Sequence, residues 1–136
     1  MEINSIDCII IDDDPGVCEV LKAYCENLGV FRNIIVATDG ALGCNKLRNQ
    51  KFSLILLDIN MPKVNGIDVL RDFGKDHPNS FEDVVIVSGE LDREKIKSIM
   101  SVGIKNFLIK PFTEGQFQEK VLPIIKKNLQ PPKKSK

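Results

Sequence analysis

Five short apolar runs punctuate the chain, and the residue after each is polar or charged. The runs are DCIII (7–11), NIIVA (33–37), SLILL (53–57), VVIV (84–87) and NFLI (106–109). None alternates apolar with polar, which is the pattern of strands buried on both faces. Such strands need helices above and below them. A parallel sheet acquires both layers through its crossover connections.

The segments between the runs carry helical spacing. Val17, Leu21, Tyr24 and Leu28 form a stripe opened by Asp14-Pro15 and stopped by Gly29. A second helix is predicted from Asp39 with Leu42 and Leu47 inward, and a third from Val64 to Asp76, ended by His77-Pro78. The fourth, DREKIKSIMSVG, places Ile96, Ile99 and Met100 inward and ends at Gly103. The fifth starts at the N-cap Thr113 and carries Phe117, Val121 and Ile125. Pro123 inside it predicts a kink or a restart, because proline lacks the amide hydrogen and crowds the carbonyl of Glu119. Five strand–helix alternations read as a doubly wound α/β domain over residues 1–129. The basic tail QPPKKSK (130–136) is expected to lie outside it, unpacked.

Composition excludes several function classes. Nineteen Lys and Arg balance nineteen Asp and Glu, so no global charge favours nucleic acid. No apolar run reaches the ~20 residues of a membrane span, and MEINSID lacks the basic and apolar parts of a signal peptide. A cytoplasmic location is expected. Cys8, Cys18, Cys25 and Cys44 show no metal-site spacing and are expected to be buried free thiols. His77, beside Pro78, is expected in a solvated loop.

In a parallel sheet the strand C-termini share one edge, where ligands bind. The first run delivers Asp12 and Asp13 there, the third Asp58, the fourth Ser88 and the fifth Lys110. The second delivers Thr38, with no evident role, and Asp14 reads as a helix cap. Carboxylates gathered in one place repel unless a cation joins them. Oxygen-only donors suit Mg²⁺, with Mn²⁺ able to substitute. A lysine beside a metal makes sense when an anion is also bound, and a hydroxyl adds a donor for that anion. The set fits phosphoryl transfer, with Asp58 as the nucleophile.

IIIDDDP, LILLDINMPKVNG, VVIVSG and FLIKPF, in this order and spacing, resemble the receiver domain of bacterial two-component response regulators over about residues 6–128. The resemblance implies a flavodoxin-like (βα)5 sandwich with strand order 2-1-3-4-5. It implies Asp58 as phosphoacceptor, Asp13 as direct metal ligand, Asp12 acting mostly through water, and the Asn60 carbonyl completing the coordination. Ser88 would be the switch hydroxyl, Lys110 the phosphoryl contact, Lys110-Pro111 a cis bond, and Phe107 the aromatic that changes rotamer. Asn60 and Glu90 would flank the path of an attacking water, as in the single-domain chemotaxis regulator, and Gly89 would leave room for the donor. Serine at 88, Ile104, Phe107 without a tyrosine hydroxyl, and Pro123 depart mildly from the usual pattern.

The expected function is thus a signalling switch charged by a histidine kinase or histidine phosphotransfer protein, with Mg²⁺ as cofactor. It would act through an unknown protein target on the face of the fourth helix, fifth strand and fifth helix, as a monomer or a phosphorylation-promoted dimer. It would not be an enzyme beyond its own phosphorylation and slow dephosphorylation. A phosphoaspartyl hydrolase would need an acid where Asn60 stands, and a flavin binder would need a phosphate loop in place of DDDPGV. A phosphorylation-independent docking module would have no use for the acidic set.

Overall fold

A computed structural model describes residues 5–73 and 77–129. Strands β1 (Ile6–Ile11), β2 (Phe31–Ala37), β3 (Leu54–Leu57), β4 (Val84–Ser88) and β5 (Asn106–Ile109) form one sheet ordered β2-β1-β3-β4-β5. All four pairings are parallel. Helices α1 (Pro15–Leu28), α2 (Gly40–Asn49), α3 (Gly66–Arg71), α4 (Arg93–Ser101) and α5 (Glu114–Leu129) connect and follow the strands. The architecture is the doubly wound α/β domain expected from the runs, with the flavodoxin-like strand order that the resemblance implies.

The period-2 geometry of the strands divides the core. Ile9 and Ile11 of β1, with Ile55 and Leu57 of β3, pack against Leu47 of α2, Val69 of α3 and Ile99 of α4. Cys8 and Ile10, with Leu54 and Leu56, face Leu21 and Cys25 of α1 and Phe117, Val121 and Ile125 of α5. The central strands are therefore apolar on both faces along most of their length, as an apolar partner waits on either side; the exception within β1 is the buried Asp7, whose carboxylate is taken by Arg32, Asn33 and Gln50. All four cysteines are buried thiols, and the Cys8 and Cys25 sulfurs lie 3.8 Å apart.

Helix ends follow local chemistry. Asp14 accepts the N–H groups of Gly16 and Val17, and Gly29 closes α1 at φ 68°, where a side chain would be strained. Thr113 and Gln116 cap α5 reciprocally, each side chain accepting the other's backbone N–H at 3.1 and 2.9 Å.

Several expectations require correction. Leu42 is exposed, because the inner face of α2 is Gly40, Gly43, Cys44 and Leu47, and position 42 falls off that stripe. Met100 is exposed for the same reason, with Ile99 buried beside it. Helix α3 is shorter at both ends than the span Val64–Asp76. Asn65 and Asp68 form a capping box that starts it at Gly66, and it ends at Asp72, whose carboxylate takes both arms of Arg48. Residues 74–76 of that span lie outside the described residues. Of the kink or restart expected at Pro123, the restart is not found, since α5 runs continuously from Glu114 to Leu129. The proline is exposed, so water can serve the carbonyl it leaves unpaired, while buried Val121, Ile124 and Ile125 hold the helix on either side. His77 is not simply solvated. Its ring stacks on Phe73 at 4.2 Å, its Nδ1 accepts the Asn79 N–H, and burial pushes its pKa down. The tail 130–136 lies outside the described residues.

Candidate functional site

Sheet hydrogen bonding continues one residue past three strands, and this fixes the chemistry-bearing residues. The Asp12 N–H donates to Ala37 of β2 at 3.1 Å, the Asp58 N–H to Ile11 of β1 at 2.9 Å, and the Lys110 N–H to Ser88 of β4 at 3.0 Å. Their side chains thus leave a rigid edge rather than a loose loop. The β3–α3 connection is equally tight. The Gly66 N–H donates to Ile59 O at 2.9 Å, and a Cβ on Gly66 would lie 2.4 Å from the Asp58 carbonyl oxygen. Lys63, in the same loop, sits at φ 65°, a left-handed conformation costly for a lysine.

Asp12, Asp13 and Asp58 each bring one carboxylate oxygen within 4.8 Å of the other two. Asp12 and Asp58 are buried, and Asp13 is exposed. Lys110 Nζ lies 2.9 Å from Asp12 Oδ2 and 3.5 Å from Asp58 Oδ2. Burial, joined by the charge of Asp12, raises the Asp58 pKa above the ordinary carboxylate value, although the Asn60 N–H and Lys110 pull it back. Burial alone would lower Lys110, but the negative charges of Asp12 and Asp58 beside it hold its pKa above the usual lysine value. The Lys110–Pro111 peptide is cis.

Three carboxylates face one ammonium, so the site lacks positive charge. Asp12 Oδ2 is buried and makes no hydrogen bond, the Lys110 ammonium being its ion-pair partner outside hydrogen-bond geometry. Hard oxygen donors with an unsatisfied buried lone pair fit a hard divalent cation such as Mg²⁺.

A second group of residues adjoins Asp58. The Asn60 N–H donates to Asp58 Oδ1 at 3.0 Å, and Asn60 Nδ2 donates to Ser88 Oγ at 3.0 Å and to the Glu90 carbonyl at 3.1 Å. Ser88 is fully buried, whereas Asn60, Gly89 and Glu90 are exposed. A Cβ on Gly89 would meet only the Lys110 Cβ, at an ordinary 3.7 Å, so packing does not demand glycine there. Phe107 is half-buried on the α2–α3–α4 side of the sheet. Asp14 caps α1, and its own N–H donates to Asp12 Oδ1.

The structure therefore brings Asp12, Asp13, Asp58, Asn60, Ser88, Glu90 and Lys110 to one end of the sheet, with Phe107 set back from them. Sequence reasoning passed over Lys95, whose Nζ reaches Asn60 Oδ1 at 3.4 Å from the first turn of α4. It also passed over Gly66. The run-and-cap pattern of that loop marks a turn but does not show which backbone atoms approach each other.

The chain matches known proteins in sequence and fold. Residues 8–122 match the model of the response regulator receiver domain. The chain is 29% identical over 119 residues to the chemotaxis protein CheY-3 of Vibrio cholerae, covering 88% of this chain and 91% of that protein. It is 33% identical over 105 residues to the probable C4-dicarboxylate response regulator DctR of Halalkalibacterium halodurans, covering 77% of this chain and 45% of that protein. Among solved structures, a two-component response regulator from Clostridium difficile superposes with a TM-score of 0.75 at 22% identity, over 93% of this chain and 100% of that one. The receiver domain of the sensor histidine kinase PA1611 from Pseudomonas aeruginosa, solved with magnesium in its active-site cleft, gives 0.70 at 18% identity, over 89% and 98%. These structural likenesses are of fold, while the sequence match over most of the chain and the acidic edge it contains identify the family. The chain belongs to the response regulator receiver domains of two-component signalling.

Proposed function

We propose that the protein is a cytoplasmic phosphorylation-dependent switch, in which Asp58 accepts a phosphoryl group from a histidine kinase or histidine phosphotransfer protein. The observation that carries this reading is the Asp58 carboxylate, buried at the end of β3 beside Asp12 and Asp13, with the Lys110 ammonium 3.5 Å away. Phosphoryl transfer needs positioning and charge neutralisation more than covalent assistance. An Asp58 oxygen attacks phosphorus, an O–P bond forms, and the N–P bond to the donor histidine breaks. Lys110 favours the ionised, nucleophilic form of Asp58 against its burial, and then faces the added phosphoryl oxygens. Asp12, Asp13, Asp58 and the Asn60 carbonyl would hold Mg²⁺, or Mn²⁺ in its place, which supplies neutralisation of phosphoryl charge when bound. The magnesium in the cleft of the PA1611 receiver supports this reading.

Ser88 supplies the switch. Its hydroxyl lies in a network with Asn60 and Glu90, and a phosphoryl group on Asp58 offers it a stronger, anionic acceptor. Turning toward that acceptor gives up the contacts to Asn60 and Glu90 and frees the β4–α4 connection. The half-buried Phe107 follows, and the α4–β5–α5 face changes its partner preference, including any preference for a second copy. The working unit is residues 1–129. Asn60 and Glu90 then set how fast water removes the phosphoryl group.

The test is incubation with Mg²⁺ and acetyl phosphate, read by intact mass. One added phosphoryl group is expected on the wild type and none on Asp58→Asn. Label that persists in Asp58→Asn would refute the acceptor assignment. No label on the wild type would refute the switch, and rapid turnover of many phosphate esters would favour a hydrolase.

A further inference from the structure

Lys95 is the one charged side chain from α4 that hydrogen-bonds to the site's residues, among those described. It stands in the first turn of α4, where its own N–H is held at 2.8 Å by the N-cap Asp92. Its ammonium contacts Asn60 Oδ1 at 3.4 Å, while Asn60 Nδ2 is shared between Ser88 Oγ and the Glu90 carbonyl. All of the amide's polar atoms are thereby assigned. Nδ2 is a donor and can face only the two acceptors, and Oδ1 is an acceptor and faces the cation. Asn60 and Lys95 border an open groove of about 470 Å³, together with Ile59, Met61, Asn65 and Asp68, so water reaches this end of the site.

We propose that Lys95 is a positioning residue that restrains the Asn60 amide and so slows hydrolysis of the phosphorylated form; the inference rests on the assignment of Asp58 as phosphoacceptor. A water that attacks phosphorus must be oriented by an acceptor for one of its protons. In the Asn60 side chain only Oδ1 can accept, and Lys95 takes one of its two lone pairs and weakens it as an acceptor for water. The ammonium also draws Oδ1 toward α4, away from the position an incoming water would need. When phosphorylation removes Ser88 from Nδ2, the Glu90 carbonyl and the Lys95 ammonium are the contacts that still hold this amide. The rate of phosphoryl loss thus depends on where α4 stands. A partner that moves α4 moves Lys95 with it.

The experiment compares label decay after the phosphodonor is removed, in wild type, Lys95→Met, Lys95→Arg, Asn60→Ala and the Lys95→Met/Asn60→Ala double variant. Lys95→Met keeps the apolar stem and removes the charge. It is expected to lose label about fivefold faster, the worth of one ordinary hydrogen bond, with the labelling rate unchanged. Lys95→Arg should restore the slow decay, and the double variant should decay like Asn60→Ala alone. Lys95→Met decay at the wild-type rate or slower, or acceleration that persists without Asn60, would overturn the inference while leaving the phosphoacceptor intact. Absence of label on wild-type Asp58 would overturn both together.

Discussion

The Lys110 ammonium lies 3.5 Å from the Asp58 carboxylate and closer still, 2.9 Å, to Asp12. One cation therefore serves two buried anions. Removing it in Lys110→Met leaves both uncompensated. The lysine side chain is 23% exposed, so the loss is smaller than for a fully buried pair, about 1–3 kcal/mol at neutral pH. The Lys110 pKa is raised by these carboxylates against the lowering effect of burial. Its stabilising contribution is thus complete below the ordinary lysine value of 10.5 and is lost as pH climbs through the higher folded value. Urea midpoints should separate wild type from Lys110→Met at pH 7 and converge in strongly alkaline solution.

Asp58 carries the opposite sign. Its pKa is raised, mainly by burial and further by Asp12, against the pull of the Asn60 N–H and Lys110. The folded state holds the proton more tightly than the unfolded chain, so ionisation costs stability. The cost is absent below the ordinary value of 3.8, where both states are protonated, and complete above the folded value. Asp58→Asn should therefore raise Tm at pH 7 by roughly 3–6 °C, the effect of about 1 kcal/mol in a domain of this size. The gap should close in acid. Equal Tm values at neutral pH would show that the acidic site is not strained.

Much of this arrangement is legible in the sequence, because parallel strands translate sequence order directly into place. A polar residue following an apolar run must appear at one edge of the sheet, which is how Asp12, Asp58, Ser88 and Lys110 could be assembled from a linear pattern. Helix faces were less legible. Leu42 and Met100 are apolar, yet each stands one position away from the inward stripe, where glycine or isoleucine packs instead. A stripe that includes Gly40 and Gly43 is invisible to a search for large apolar side chains. Lys95 was missed for another reason. Its contact to Asn60 spans 35 positions and depends on the angle of α4 to the sheet, which no local spacing encodes.

Metal binding has its own thermodynamic signature. A cation held only by the folded state stabilises it by about 2.7 kcal/mol at a hundredfold excess over Kd. Thermal scans should therefore show Tm climbing with Mg²⁺ and falling back on addition of a chelator. Asp13 is the exposed member of the trio, so Asp13→Asn should fold normally yet lose most of that rise. An Mg²⁺ response that is the same in Asp13→Asn and wild type would place the cation elsewhere.

Gly66 links the integrity of the site to the backbone around it. Its added Cβ would stand 2.4 Å from the Asp58 carbonyl oxygen and 2.6 Å from the Ile59 Cα. Both neighbours are main-chain atoms, and Asp58 is itself held by the sheet through Ile11. Neither can yield as the tip of a flexible side chain would. Gly66→Ala must push the start of α3 outward or tilt the end of β3, at a cost of about 2–3 kcal/mol. Because displacements near 1 Å at a reacting atom cost up to ~100-fold in rate, labelling of Asp58 should slow by at least about tenfold even at temperatures where the variant is fully folded. Gly89→Ala is the matched control, since its Cβ meets Lys110 Cβ at an ordinary 3.7 Å and its stability should stay within about 0.5 kcal/mol of wild type. If both alanine variants showed the same urea midpoint, the close approach of α3 to the phosphoacceptor backbone would not be what positions Asp58.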